Sequence, residues 1–211
     1  MFDLDAPTII ARMVVLLLAF TIHELAHAVS ADYLGDPTPR RMGRITLNPI
    51  SHLDPIGTLL LLVSGFGWAK PVMVQPFNLR GNPRTSMALV AAAGPLSNII
   101  MAILFVIPVR LNMVGLQFQS GGGILPSFEF LLFQLIWINI ILALFNLLPI
   151  APLDGSKILM GILPADLGAQ LRWLEQYGFI ILLVLVFLLP GALDFLIFRP
   201  SITIFNLMVG F

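Results

Sequence analysis

The chain has 211 residues, 58% hydrophobic and 10% charged, with a formal net charge of zero. A mean hydropathy of +0.98 lies far outside the balance of an ordinary soluble domain and marks an integral, multi-pass membrane protein. No cysteine is present, which excludes disulfides, thiolate metal sites and thiol nucleophiles. The basic residues form no stripe alternating with aromatics, so no nucleic-acid partner is expected.

An acidic start (Asp3, Asp5) leads into an apolar run, Ile9 to Phe20, and then directly into His23-Glu24-Leu25-Ala26-His27. No small-residue cleavage site intervenes, so this run reads as a retained span and not as a removed signal peptide. Stretches long enough to cross a bilayer, about 20 residues each, run roughly from Thr8 to Val29, Thr85 to Val109, Phe128 to Leu148 and Leu174 to Leu189. The segment Ile56 to Phe66 is equally apolar but too short to span, and Pro55, Gly57, Gly65 and Gly67 bracket it. It reads as re-entrant or interfacial. The stretch from Ala192 to Phe211, broken by Arg199-Pro200, fits a final span or an interfacial helix equally well.

Charge placement orients these spans, because cytoplasmic loops collect Lys and Arg. Arg40, Arg41, Arg44, Lys70, Arg80 and Arg84 flank the short apolar segment on both sides. If that segment dips and returns, all six lie on one face. With Lys157 and Arg172 they place eight of the eleven basic residues inside. The N-terminus is then outside, and HExxH sits near the inner end of the first span.

HExxH on a helix sets two imidazoles four residues apart on one face, where both reach one Zn²⁺, and Glu24 stands beside them to take a proton from the zinc-bound water. Ionisable groups at bilayer depth are costly and read as functional by default. A catalytic zinc commonly has three protein ligands, and the chain's other histidine, His52, lies in a loop. The positions that would extend the motif to a third histidine hold Ser30 and Tyr33. Glu129 falls near the outer face and Glu175 at the start of a later span. Asp32 is too near His27 to turn back on it, Asp36 sits in a Gly-Asp-Pro turn, and Asp54 precedes Pro55. Asp154 is left by elimination and by depth, since Pro149 and Pro152 break the inner end of the third span and let the chain turn inward.

The oxyanion of an acyl transfer needs a donor beyond the metal. Asn98 and Asn146 are the candidates, each an amide within a span, although a helix-to-helix hydrogen bond explains either equally well. His52 reads more simply as a structural loop histidine than as a proton donor. The strand-like segments Arg44 to Leu47 and Lys70 to Val74 are placed to pair with an unwound substrate. A membrane metal transporter or a non-proteolytic scaffold that binds helices is the competing class. A transporter commonly carries internal repeats, and none is visible here.

HELAH on an early span, Asn146-Leu147-Leu148-Pro149 leading to Pro152-Leu153-Asp154-Gly155, and Ala92-Ala93-Gly94-Pro95-Leu96-Ser97-Asn98 together resemble the site-2 protease family of intramembrane zinc metalloproteases. Asn48-Pro49, His52-Leu53-Asp54-Pro55-Ile56-Gly57 and Gly67-Trp68-Ala69-Lys70-Pro71-Val72 extend the likeness, which covers about Thr21 to Gly155. The resemblance implies that His23, His27 and Asp154 bind one Zn²⁺ per chain and that Glu24 is the catalytic base. It implies an all-α polytopic protein: a three-helix catalytic core, a re-entrant, partly β-strand segment, and one or two additional C-terminal helices. The expected organisation is one domain over 1–211, with the core at about 8–160 and peripheral helices at about 173–211, of the compact type without a PDZ or CBS domain. The expected partners are transmembrane protein substrates and membrane lipid. The expected location is the cell membrane, with the active site towards the cytoplasm.

Overall fold

The computed structural model describes residues 5–57, 68–121 and 123–210. Helix α1 runs from Ala6 to Tyr33. It starts where Asp5 caps it, the carboxylate accepting from the Thr8 N–H at 3.0 Å, with Pro7 in the first turn where a missing N–H costs nothing. After the short α2 (Thr38–Arg41), 3-10 turns at Pro49–His52 and Pro76–Asn78 punctuate an irregular connection. Helix α3 spans Pro83–Arg110 and α4 spans Phe128–Asn146, capped by Asn82 and Ser127. Then follow α5 (Asp154–Ile162), α6 (Ala165–Gln170), α7 (Arg172–Leu188) and α8 (Pro190–Leu193). A π turn at Asp194–Phe198 carries α8 into α9 (Arg199–Val209).

Helices α1, α3 and α4 pack on one another, and α5 lies against α3. The stretches Ala6–Tyr33, Pro83–Arg110, Phe128–Asn146 and Gly191–Val209 are long and apolar enough to cross a membrane. The protein is therefore a mostly helical, multi-pass membrane protein. One half of the bundle is held by Ala102, Val106, Leu132, Ile136, Ile140, Phe205 and Val209. There Phe205 of α9 meets Phe133 and Trp137 of α4 edge-on, with centroids 5.7 and 5.9 Å apart. Each such contact contributes about 0.5–1.5 kcal/mol beyond burial.

Of the two C-terminal stretches, Gly191–Val209, which the sequence leaves open as a final span, has spanning length, and the expected fourth span at Leu174 to Leu189 does not. Helix α7 has 17 residues, about 25 Å at 1.5 Å per residue and short of the roughly 30 Å hydrocarbon core. Its surroundings decide the matter. Gly168 of α6, just before it, lies against Arg84 at the start of α3, and Gly178 lies against Ala151. Leu182 and Leu185 cluster with Leu148, Leu153 and Ile197. The far end of α9 is tied to the end of α3, where the Arg110 guanidinium donates to the Leu207 and Met208 carbonyls at 2.7 Å each. Helix α7 thus lies against the Arg84 end of the bundle as far as Leu185, and Gly191–Val209 is the candidate for the return crossing. A hydropathy window sees apolar length; it does not see which end of the molecule a helix returns to.

The strand-like segments are not strands. Among the described residues β structure is limited to one isolated bridge, Leu53 to Ala69, and both Arg44 to Leu47 and Lys70 to Val74 are irregular. Most of the proposed re-entrant stretch, 58–67, lies outside the described residues.

Candidate metal centre

Two chain reversals bring the site together. The 147–153 turn after α4 places Asp154 at the first position of α5, and Gly155 makes this possible. A Cβ there would lie 2.2 Å from the Leu147 carbonyl oxygen and 2.3 Å from that of Leu148, so the start of α5 seats against the end of α4 only with glycine. On α1, the four-residue spacing aims His23 and His27 at the same point. Both imidazole Nε2 atoms approach Asp154 Oδ2, at 3.1 and 3.2 Å, and they are 3.1 Å from each other. All three side chains are buried.

The protonation of these rings follows from backbone groups that can only accept. His27 Nδ1 lies 2.8 Å from the Val90 carbonyl, so Nδ1 carries the proton. For His23 the chain is longer. The Leu135 carbonyl accepts from Asn139 Nδ2 at 2.7 Å, leaving Asn139 Oδ1 to accept from Asn98 Nδ2 at 2.8 Å. Asn98 Oδ1 is then turned to His23 Nδ1 at 2.6 Å and accepts its proton. In the neutral rings both Nε2 atoms then present lone pairs.

Two bare lone pairs and a carboxylate oxygen crowded within about 3 Å repel one another unless a cation sits among them. Zinc fits this set. Nitrogen and oxygen donors bind it at about 2.0–2.2 Å, and a tetrahedron of that size spaces its corners about 3.3 Å apart. The space is also reserved: a Cβ on Gly94 of α3 would lie 2.4 Å from His27 Nε2 and 2.6 Å from His23 Nε2. The outward hydrogen bonds to Asn98 and Val90 hold each ring in the way metal-binding histidines require.

Glu24 is buried beside the pair, and its Oε2 accepts from the Val72 N–H at 2.9 Å. The segment that supplies this amide is fastened twice. Buried Arg44 donates to the carbonyls of Ser51, Lys70 and Pro71 at 2.6, 3.2 and 3.1 Å. Buried Asp36 accepts from the Gln75 N–H at 2.7 Å and from Asn78 Nδ2 at 3.0 Å. A cavity of about 1360 Å³ opens between α1, α4 and this segment, with the cluster and Glu24 in its wall.

Asn98 does not face that cavity. It is fully buried, and its amide is engaged by His23 and Asn139, the helix-to-helix hydrogen bonding that the sequence reading holds as the alternative to an oxyanion donor. Asn146 lines the cavity and donates to the Leu142 carbonyl at 2.9 Å. His52 is fully buried with its Nε2 at 2.9 Å from the Thr46 carbonyl, a structural position in the connection. Asn139 was outside the sequence reading, and Gly94 and Val72 enter it only within motifs, with no role at the site. For Asn139 a signal existed: it lies seven residues, two helical turns, before Asn146 on the same apolar span.

The fold and the site together define a polytopic membrane protein with a buried His₂Asp metal centre and an adjacent glutamate. The profile of Peptidase family M50 matches residues 112–189. A Bacillus subtilis protein provisionally named zinc metalloprotease YwhC is 45% identical over 180 residues, covering 82% of this chain and 78% of its own length. Two proteins provisionally named zinc metalloprotease Rip2 also match. The one from Mycolicibacterium smegmatis is 28% identical over 81% of this chain and 64% of its own length, and the one from Mycobacterium tuberculosis is 30% identical over 82% and 65%. The alignments thus span less than two thirds of the Rip2 proteins. No solved structure gives a significant match. The chain belongs to peptidase family M50, the site-2 protease family.

Proposed function

We propose that this protein is an intramembrane zinc metalloprotease that hydrolyses peptide bonds in or near the transmembrane helices of membrane-protein substrates. The observation that carries this reading is the convergence of His23 Nε2, His27 Nε2 and Asp154 Oδ2 beside Glu24 at the wall of a cavity between apolar helices. His23, His27 and Asp154 hold the ion, and Asn98, Asn139 and the Val90 carbonyl keep both imidazoles in the tautomer that offers Nε2. When bound, zinc lowers the pKa of water to about 7 and polarises a carbonyl oxygen. Glu24 accepts the proton of the attacking water and returns it to the leaving amine. Asn146 remains a candidate donor to the developing oxyanion.

The irregular segment around Val72 is held extended by Arg44 and Asp36, which suits it to receive an unwound substrate by edge pairing. It forms one side of the substrate path. The clustering of basic residues at the His23 end supports a cell-membrane orientation with the active site towards the cytoplasm. Residues at about 8–160 serve as the catalytic core and those at about 173–211 as its periphery, in one domain.

The test is cleavage of a panel of transmembrane peptides by the purified, reconstituted protein. Wild type cleaves and Glu24→Gln loses at least about 100-fold while keeping its zinc. A chelator abolishes the activity and zinc restores it. Cleavage that survives Glu24→Gln overturns the mechanism. Proline at Met73 lowers cleavage with zinc retained; unchanged cleavage removes the edge-pairing role.

A further inference from the structure

With Asn98 committed to His23 and Asn139, and the Asn146 amide already donating to the Leu142 carbonyl at 2.9 Å, the scissile carbonyl oxygen has room for a further, ionic donor. Among the described residues lining the cavity, the cations are Arg12 and Lys157. Arg12 precedes His23 by eleven positions on α1, about 16 Å along the helix axis, out of reach of the reacting bond. Lys157 lies on α5 one turn after Asp154, on the same face. Its Nζ is 3.7 Å from Asp154 Oδ1, the carboxylate oxygen turned away from the imidazoles, and its side chain is 44% exposed. A salt bridge that loose and that exposed contributes little to stability. The ammonium is free to swing towards the cavity while still tethered beside the metal centre.

We propose that Lys157 is a catalytic residue whose ammonium donates a hydrogen bond to the scissile carbonyl oxygen as negative charge develops on it. This rests on the protease reading above. The water oxygen bonds to the carbonyl carbon and the carbonyl π pair moves onto its oxygen, where Lys157 stabilises it. The water proton passes to Glu24. On collapse the pair returns, the C–N bond breaks and Glu24 protonates the departing nitrogen. Lys157 keeps its proton throughout, so water is consumed and no other co-reactant is needed. An ionic donor aimed at developing charge in a water-poor site is worth on the order of 10²–10³ in rate, which a 3.7 Å contact to a ligand carboxylate does not supply.

The experiment compares wild type, Lys157→Met, Lys157→Arg and Glu24→Gln in three measurements: steady-state cleavage of a transmembrane peptide, zinc affinity by chelator competition, and affinity for a peptide phosphonate that mimics the tetrahedral geometry. The expected result for Lys157→Met is a fall in kcat of about 100-fold or more, with KM and zinc affinity held within about twofold and phosphonate affinity lost in parallel with kcat/KM. Lys157→Arg, which keeps an ionic donor, recovers part of both. If Lys157→Met instead loosens zinc and excess zinc restores cleavage, Lys157 only steadies Asp154 and the proposal is wrong. Full activity in Lys157→Met also overturns it. Cleavage that is indifferent to Glu24→Gln would bring down the Glu24 mechanism on which this proposal rests, a result distinct from either.

Discussion

The Leu135 carbonyl can only accept a hydrogen bond, and that restriction passes through Asn139 and Asn98 to the Nδ1 proton of His23. Interhelical hydrogen bonds in membrane proteins average only about 0.6 kcal/mol. Two asparagines facing each other at zero exposure are therefore poorly explained by stability alone; fixing one imidazole explains them better. Gly94 acts at the same scale by leaving room. Gly94→Ala would put a methyl group into the space the three donors share, so zinc affinity should fall at least about 10- to 100-fold and cleavage should be lost. Chelator competition reads the first effect, and unchanged far-ultraviolet circular dichroism would separate it from unfolding.

At the scale of elements, the connection between α1 and α3 is irregular, yet charged groups hold it in place. Arg44 grips one end of the segment that reaches Glu24, and Asp36 grips the other. Burial pushes the Asp36 carboxyl up. Hydrogen bonds from Asn78, from the Thr38 hydroxyl and from the Gln75 and Thr38 N–H groups outweigh it, and its pKa lies below the usual carboxylate value. A depressed folded pKa means that this fastening is present above the unfolded value of about 3.9 and is lost as pH falls through the lower folded one. The wild type should accordingly have a higher Tm than Asp36→Asn at pH 6, and the gap should close as the pH drops below about 4. A gap constant from pH 6 to pH 3 would show that the anion is not what holds the segment. From sequence, Asp36 reads as a turn residue, because its partners Gln75 and Asn78 are about forty positions away.

At the scale of the whole molecule, the described residues contain four candidate crossings, with α7 lying at the Arg84 end. The ends of α3 and α9 meet through Arg110, so the end of α9 lies at the same end as the α3–α4 connection. The absence of native cysteine makes this directly testable with single-cysteine variants and an impermeant thiol reagent. Ser120→Cys and a cysteine appended after Phe211 should label from one side of the membrane, and Ser51→Cys and Asp166→Cys from the other. Labelling of the appended cysteine together with Asp166→Cys would mean that α7 crosses after all.

What the sequence determined alone is whatever a local window holds. Helical periodicity aligns His23 with His27, hydropathy marks the first three long helices, and the scarcity of His and carboxylate at inner depth singles out Asp154. The tertiary structure decided what depends on the distance between remote elements. It turned Asn98 from the cavity to His23, added Asn139, gave Arg44 and Asp36 their partners, left a single bridge among the described residues where strands were expected, and favoured Gly191–Val209 over α7 as the last candidate crossing. Each of these depends on atoms dozens of residues apart coming within about 3 Å or on where a helix returns, and no period or composition along the chain encodes that.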